Sequence, residues 1–287
     1  MCRLFGLSSA PRATSATFWL LDAPDSLSEQ SRREPDGTGL GTFDPDGRPR
    51  VHKVPIAAWE DHAFVRAAQH VRSETFIAHI RYASTGGLTH ANTHPFLQNG
   101  RLFAHNGVIE GLPELEAHLG PDMAAVHGDT DSERFFALVS REIRENGGDV
   151  TAGIGQAVRW VAEHLPVFAL NLVLTTPEEL WALRYPDTHE LYVLERRPGG
   201  HDGRHLDHAG TDGHLRVQAH ELADAPAVVV ASERMDDNPY WRPLHPGELL
   251  HVGPDLATAS TFIDEAPAHR LSLADLHPAA AASQRPS

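Results

Sequence analysis

Short apolar or alternating runs bounded by turn residues outnumber the segments with helical spacing along this chain. CRLFGLS at 2–8 reads as a strand. GLGTF (39–43) and RVHKV (50–54) read as two strands around Asp44-Pro45-Asp46-Gly47, a strong turn signal. ETFIAHIRY (74–82) alternates as a strand does, and LFAHNG (102–107) reads as a short strand ending in a turn pair. Helical spacing appears at Trp59 to Val71, through Phe64, Ala67, Ala68 and Val71, and again over 131–145 and 151–164. Ser26 and Glu29 have capping-box spacing ahead of a short helix. From Val167 onward the pattern is strand after strand: VFALNLVLTT, ELWALRY, ELYVLER, HLRVQAH, AVVVASE and GELLHV. Roughly ten strands and four or five helices, with strands in runs rather than in βαβ alternation, predict an α+β fold.

No linker divides the chain, so one domain is expected over 1–277, followed by a disordered low-complexity tail over 278–287. The Gly-, Asp- and His-rich stretch 196–214 reads as a solvated loop between strands. A hydrophobic content of 41% with 22% charged residues is that of a soluble globular chain. The net charge of −15 argues against a nucleic-acid partner, which needs clustered Lys and Arg. No segment approaches the ~18 apolar residues of a membrane span, and Arg3, Pro11 and Arg12 break any signal-like run. A single cysteine excludes an internal disulfide and fits a reducing compartment, so a cytoplasmic location is expected.

That cysteine is Cys2, directly after Met1. Removal of Met1 would leave a thiol and an α-amine on one residue. Such an amine titrates at about 7.7–8.0, close to what a general base needs. An incidental thiol or an acylation site explains Cys2 alone equally well.

Three further segments carry chemistry. His79 to Gly86 is a strand that delivers Arg81 into a Gly-rich turn, and the arginine fork suits a carboxylate, although a surface ion pair would account for it too. In Ala104-His105-Asn106-Gly107, an amide beside a glycine N–H can aim two donors at one oxygen, yet Asn-Gly is also a common hairpin turn. Gly128 to Glu133 opens a helix, where Asp131 could accept from an ammonium group or a residue could simply cap.

The order of these segments resembles the class II glutamine amidotransferases, a branch of the N-terminal nucleophile hydrolases. That family carries an N-terminal Cys strand, then H-x-R-aromatic-A-[ST], H-N-G and T-D-[ST]-E. Here they are Cys2-Arg3, His79 to Thr85, His105 to Gly107 and Thr130 to Glu133. The chain is most similar to stand-alone members, which begin M-C-x-L-x-G and carry N-T-H-P-F (Asn92 to Phe96). The resemblance spans approximately residues 2–255 and extends to AVVVASERMDDNPYWRPLHPGELLHV, where Ser232-Glu233 ends a strand.

The resemblance implies a four-layer αββα sandwich, two antiparallel sheets between helices. It implies that Cys2 attacks the γ-carboxamide of glutamine, with Asn106 and Gly107 holding the oxyanion, and that ammonia and glutamate are released through a γ-glutamyl thioester. Arg81 and Asp131 would bind the α-carboxylate and α-ammonium, with Tyr82 and Thr85 lining the pocket. No cofactor or metal is implied. Tyr82 stands where sugar-phosphate members carry Trp, so that wall is expected to differ. With no synthase module in the sequence, either ammonia passes to a separate accepting synthase or the chain hydrolyses glutamine or another γ-glutamyl amide. Ergothioneine-pathway hydrolases of the same family show the second course is chemically open, but their start differs from MCRLFGL.

Two other classes compete. Twenty histidines raise a metal hydrolase: His79, His90, His94 and His105 cluster near the motifs, and His201, His205, His208 and His214 share one loop. Neither set has H-E-x-x-H or Cys-His zinc spacing. A non-catalytic binding module would be favoured by loss of Cys2, Arg81, Asn106 or Asp131, and all four are present.

Overall fold

The apolar run at 2–8 forms strand β1 (Arg3–Ser8), buried along its whole length between two antiparallel partners. Those partners are β4 (Thr75–Arg81) and β12 (Ala227–Ala231). The computed structural model describes residues 2–83, 86–198, 207–209, 216–218 and 225–285. Beyond β4 the sheet continues through β2 (Gly37–Phe43) to β3 (Pro49–Val54), and beyond β12 through β9 (Tyr192–Arg196) to β13 (Arg242–Pro243).

A second sheet lies against it, in the order β15 (Thr258–Phe262), β14 (Glu248–Val252), β8 (Leu180–Leu183), β7 (Pro166–Thr175), β6 (Arg101–Ile109) and β5 (Phe96–Gln98). Short β16 (His269–Arg270) adds to β7 and is the one parallel pairing among the described strands. Three apolar layers follow from strand alternation. On the outer face of the first sheet, Phe5, Leu7, Phe76 and Ala78 pack under α1 (Leu27–Gln30) and α2 (His62–His70), with Trp19 from a π-helical turn at Phe18–Asp22. Between the sheets lie Leu4, Ile77, Leu102, Val173, Leu180 and Val230. Behind the second sheet, α4 (Asp131–Glu145) and α5 (Val150–His164) cover Phe103, Leu170, Leu172 and Leu174. The result is two antiparallel sheets layered between helices, the α+β sandwich expected.

The seam between the sheets is tight where β1 and β2 cross it. A Cβ on Gly6 would lie 2.9 Å from the side chains of Val173 and Leu180, and one on Gly39 only 1.8 Å from the carbonyl oxygen of His94. Close approach of backbone requires glycine at Gly39, whereas a Cβ at Gly6 would force the Val173 and Leu180 side chains to shift.

Several elements depart from the sequence reading. LFAHNG does not end in a turn: β6 continues to Ile109, and Asn106 and Gly107 sit mid-strand opposite Asn171 and Leu170. Local Asn-Gly preference yields to a long-range ladder and to burial of both flanks. The helix foreseen from Trp59 starts at His62, where the Asp61 side chain accepts from Ala63 N–H. Helix α3 (Leu112–Leu119) and the 3₁₀ turn Gly120–Ala125 were not foreseen, nor were β5, β15 and β16, which are too short or too exposed to show a period. Inside the stretch read as a solvated loop, β10 (Asp207–Ala209) pairs with β11 (Arg216–Gln218); the rest of 199–215 lies outside the described residues. The tail expected to be disordered instead starts with helix α6 (Pro278–Ser283). Its alanines give it propensity, Ala280 packs with Leu276 against Val108 and Phe168, and Gln284 bonds His189 at 2.7 Å.

Candidate active site

Cys2 is held at the start of the central strand by contacts on every side. Leu4 is clamped by Ser232, whose hydroxyl accepts from Leu4 N–H at 2.9 Å and whose N–H donates to the Leu4 carbonyl at 3.1 Å. Arg3, wholly buried, forms ion pairs with Glu34 at 3.2 Å and Glu233 at 2.9 Å. A buried cation needs such partners, and here they fix the residue behind the thiol. The thiol itself meets the Tyr82 backbone, with Tyr82 N–H to Sγ at 3.2 Å and Sγ to the Tyr82 carbonyl at 3.3 Å. Burial pushes the Cys2 thiol up from its ordinary value, while the Tyr82 N–H and the charge of Arg81 pull the other way. At neutral pH the resting sulfur is therefore a thiol that needs a base.

Arg81 ends β4 one residue before Tyr82. Its guanidinium donates to the carbonyls of Gly87 at 3.0 Å and Gly86 at 3.3 Å. Burial lowers its pKa, against the opposing influence of Cys2, Asp36 and Asp131. The turn beyond is tied back by Ala83 N–H, which donates to Asp36 at 2.9 Å.

The facing wall comes from β6 and α4. Asn106 Nδ2 donates to the Cys2 carbonyl at 2.9 Å, joining the two sheets across the site. Leu170 N–H donates to Tyr185 at 2.7 Å, so the Gly107/Leu170 pair exchanges no ladder bonds and the Gly107 N–H faces away from β7. A Cβ at Gly107 would fall 1.8 Å from the Ala169 carbonyl oxygen. Register slips between Val108 and Ile109, and there Ile109 N–H donates to Asp131 Oδ2 at 2.9 Å. Such a bulge re-aims groups beside a site. Thr130, not Asp131, caps α4 through its hydroxyl and Glu133 N–H, at 3.3 Å. Asp131 Oδ1 accepts from Ser132 N–H at 2.9 Å, and the Ser132 hydroxyl bonds His105 Nδ1 at 2.9 Å. Burial holds His105 below its ordinary pKa, with Asp131 pulling it upward.

One small pocket thus brings together Cys2, Arg81, Tyr82, Gly107 and Asp131, with Asn106 hydrogen-bonded directly behind the cysteine. Thr85 lies outside the described residues. His94, His105, Thr130 and Ser132 also line the pocket and were not foreseen as lining it. His94 and His105 drew attention only as metal candidates, and His94 could have been read from its place in Asn92-Thr93-His94-Pro95-Phe96. Among the described residues no three His, Cys, Asp or Glu side chains are grouped to hold a metal ion. No described helix is long and apolar enough to cross a membrane. Chemically, the pocket offers a buried thiol together with a cation and a carboxylate.

A sequence profile of class-II glutamine amidotransferases matches residues 1–272. An uncharacterized protein of Methanocaldococcus jannaschii is 35% identical over 188 residues, 61% of this chain and 50% of its own length, so the chain spans half of that relative. The gamma-glutamyl-hercynylcysteine sulfoxide hydrolase of Mycolicibacterium smegmatis is 28% identical over 262 residues, covering 88% of this chain and 96% of its own. In structure, the glutamine phosphoribosylpyrophosphate amidotransferase of B. subtilis superimposes with a TM-score of 0.62 at 21% identity, over 91% of this chain and 49% of its own. At that identity the likeness speaks for the fold alone.

Proposed function

The chain belongs to the class II glutamine amidotransferases, and from that premise we propose that it cleaves the γ-carboxamide of glutamine or of a related γ-glutamyl amide with Cys2 as nucleophile. The observation that carries this reading is the convergence of Cys2, Arg81, Gly107 and Asp131 on one pocket from four separate chain segments.

In the proposed cycle, Met1 is removed and the freed Cys2 α-amine, through a water, takes the thiol proton. This supplies the base that the raised thiol pKa calls for. The thiolate forms a bond to the γ-carbon, and the carbonyl oxygen becomes an oxyanion. Gly107 N–H, turned away from the β6–β7 ladder, and the second Nδ2–H of Asn106 hold that oxyanion; the first Nδ2–H already serves the Cys2 carbonyl. The C–N bond then breaks, and the ammonium at Cys2 returns its proton so that ammonia leaves. Water attacks the γ-glutamyl thioester, releasing glutamate and restoring the thiol. Arg81 exchanges its contacts with Gly86 and Gly87 for the substrate α-carboxylate. Asp131, whose carboxylate has about four lone-pair sites, accepts from the α-ammonium beside its bonds to Ile109 and Ser132. Tyr82 lines the pocket, and Thr85, outside the described residues, remains a further candidate for substrate binding.

A second course for the acyl substrate is favoured by one observation. The near end-to-end match to a mycobacterial gamma-glutamyl-hercynylcysteine sulfoxide hydrolase supports simple hydrolysis of a larger γ-glutamyl amide, with no accepting synthase. In the other course, ammonia passes to a separate synthase partner. Both use the same residues, and a cytoplasmic setting suits both.

The test is intact mass before and after incubation with a diazoketone analogue of glutamine. The expected result is a mass lacking methionine, plus one adduct mapped to Cys2, and a Cys2→Ala variant that folds but neither labels nor hydrolyses. Substantial amide hydrolysis by the Cys2→Ala variant would overturn the thiol mechanism. Loss of Met1 without labelling would redirect the search to bulkier γ-glutamyl amides.

A further inference from the structure

The match to the family profile ends at residue 272, and α6 (Pro278–Ser283) begins six residues later. A six-residue helix does not hold itself together in water, where isolated helices shorter than about 12–15 residues are marginal at best. Its order therefore comes from what it docks on. Ala280 and, just ahead of the helix, Leu276 pack on Val108, Phe168 and Ala169. At its end Ser283 and Gln284 are buried.

These contacts fall on the strand pair that carries the proposed oxyanion donors. Val108 directly follows Gly107. Side chains alternate along a strand, so Val108 points to the same face of β6 as Asn106, the face from which Asn106 reaches the Cys2 carbonyl. In register, Asn106 stands opposite Asn171 and Val108 opposite Ala169. The ladder slips immediately beyond, between Val108 and Ile109, so pairing alone holds the strands less firmly there. The α6 segment adds apolar packing at that slip.

A second tie runs through side chains. His189 Nε2 donates to Gln284 Oε1 at 2.7 Å, with both residues buried. The His189 carbonyl accepts from Asn171 Nδ2 at 3.2 Å, and Tyr185 N–H donates to Asn171 Oδ1 at 3.0 Å. The neighbouring Thr188 hydroxyl donates to the Phe168 carbonyl at 2.7 Å. Gln284 thus holds the 185–190 connection, and that connection holds the residue facing Asn106.

We infer that α6 is a positioning element for the proposed amide cleavage: through Ala280 on Val108 and Gln284 on His189, it fixes Asn106 and Gly107 relative to Cys2. This rests on the reading of Asn106 and Gly107 as oxyanion donors. Such donors act at about 2.7–3.1 Å from the developing charge. A small drift of β6 therefore costs turnover before it costs substrate binding.

The experiment uses the full chain with Gln284→Leu, Gln284→Glu and Ala281→Gly. Ala68→Gly, in α2 on the outer face of the first sheet, is the control. Active sites are counted by diazoketone labelling of Cys2. Then kcat and KM are measured for glutamine and for the γ-p-nitroanilide of L-glutamate, and Tm is recorded for each variant. For Gln284→Leu the expected result is a kcat lowered roughly tenfold with KM unchanged, part of the roughly 10²–10³-fold that outright loss of an oxyanion donor costs. Gln284→Glu keeps an oxygen acceptor for His189 and recovers most of the rate. Ala281→Gly weakens the helix without removing a side-chain hydrogen bond, and gives a smaller loss of the same kind. Ala68→Gly lowers Tm but keeps the wild-type kcat per labelled site. A kcat that stays unchanged in the α6 variants that fold overturns the assignment and leaves the helix a packing role. So does a rise in KM at constant kcat, or an equal loss of kcat in Ala68→Gly. A wild type that is not labelled at Cys2, or that cleaves neither amide, overturns the amidase reading itself, and this assignment with it.

Discussion

The two walls of the pocket are built on opposite principles. On the β6–α4 wall, groups are locked by their own hydrogen bonds: Asp131 to Ile109 and Ser132, Ser132 to His105, Asn106 to Cys2. On the β4 wall, Arg81 donates to the carbonyls of the adjoining segment, Gly87 and Gly86. The first wall is arranged before substrate arrives, as charge stabilisation in a transition state requires. On the proposed reading, the second exchanges partners on binding. Preorganisation sits where charge would develop, and adaptability sits where a carboxylate would be recognised. Removing Asn106 from the first wall should therefore lower turnover, and altering Arg81 on the second should weaken binding.

The largest effect expected beyond loss of the nucleophile is at Asn106. Asn106→Ala should lower kcat by roughly 10²–10³-fold, the usual loss for one oxyanion donor, with KM little changed, in steady-state hydrolysis of glutamine or of the γ-glutamyl amide found to be the substrate. A change in KM alone would break the contrast between the walls. Next in size is Arg81→Lys. Lysine keeps the charge but loses the planar fork, so KM should rise by about tenfold or more while kcat moves little. An equal fall in kcat would show that Arg81 acts on the reacting centre instead.

The smallest effect concerns pH and involves both walls. His79 is held neutral by burial down to about pH 3, whereas in the unfolded chain it protonates near 6.5. Between those values the unfolded state binds the extra proton, so stability is lost as pH falls below about 6.5. The loss from His79 alone is roughly 1 kcal/mol by pH 5.5. His94 and His105, also depressed by burial, act in the same direction. Melting curves from pH 7.5 to 5.5 should show a falling Tm, with a shallower fall in His79→Gln. A flat profile in the wild type would contradict the buried neutral state of this cluster.

Much of this was legible in the sequence. Short apolar or alternating runs located β1, β2, β4 and the later strands, and the order of motifs picked out Cys2, Arg81, Gly107 and Asp131, which line one pocket, and Asn106, which bonds Cys2. What the sequence hid depends on long-range packing. Asn106-Gly107 looks like a turn because its local preference is for one; only pairing with Asn171 and Leu170 makes it a strand. His94 has no periodic neighbours, and its placement comes from Gly39, some fifty-five positions earlier in the chain. Strands such as β5 and β16 are shorter than the repeat that would reveal them, and α6 gains its order from Val108 and Phe168.

The glycine seam between the sheets also governs where new substrate preference can arise. At Gly6 and Gly39 the opposing layers already touch, so a larger side chain there would prise the sandwich apart instead of reshaping the pocket. Laboratory selection toward bulkier amides should therefore avoid these positions of the central strands. The pocket is instead open to change at lining side chains such as Tyr82, whose backbone and not its ring meets the thiol.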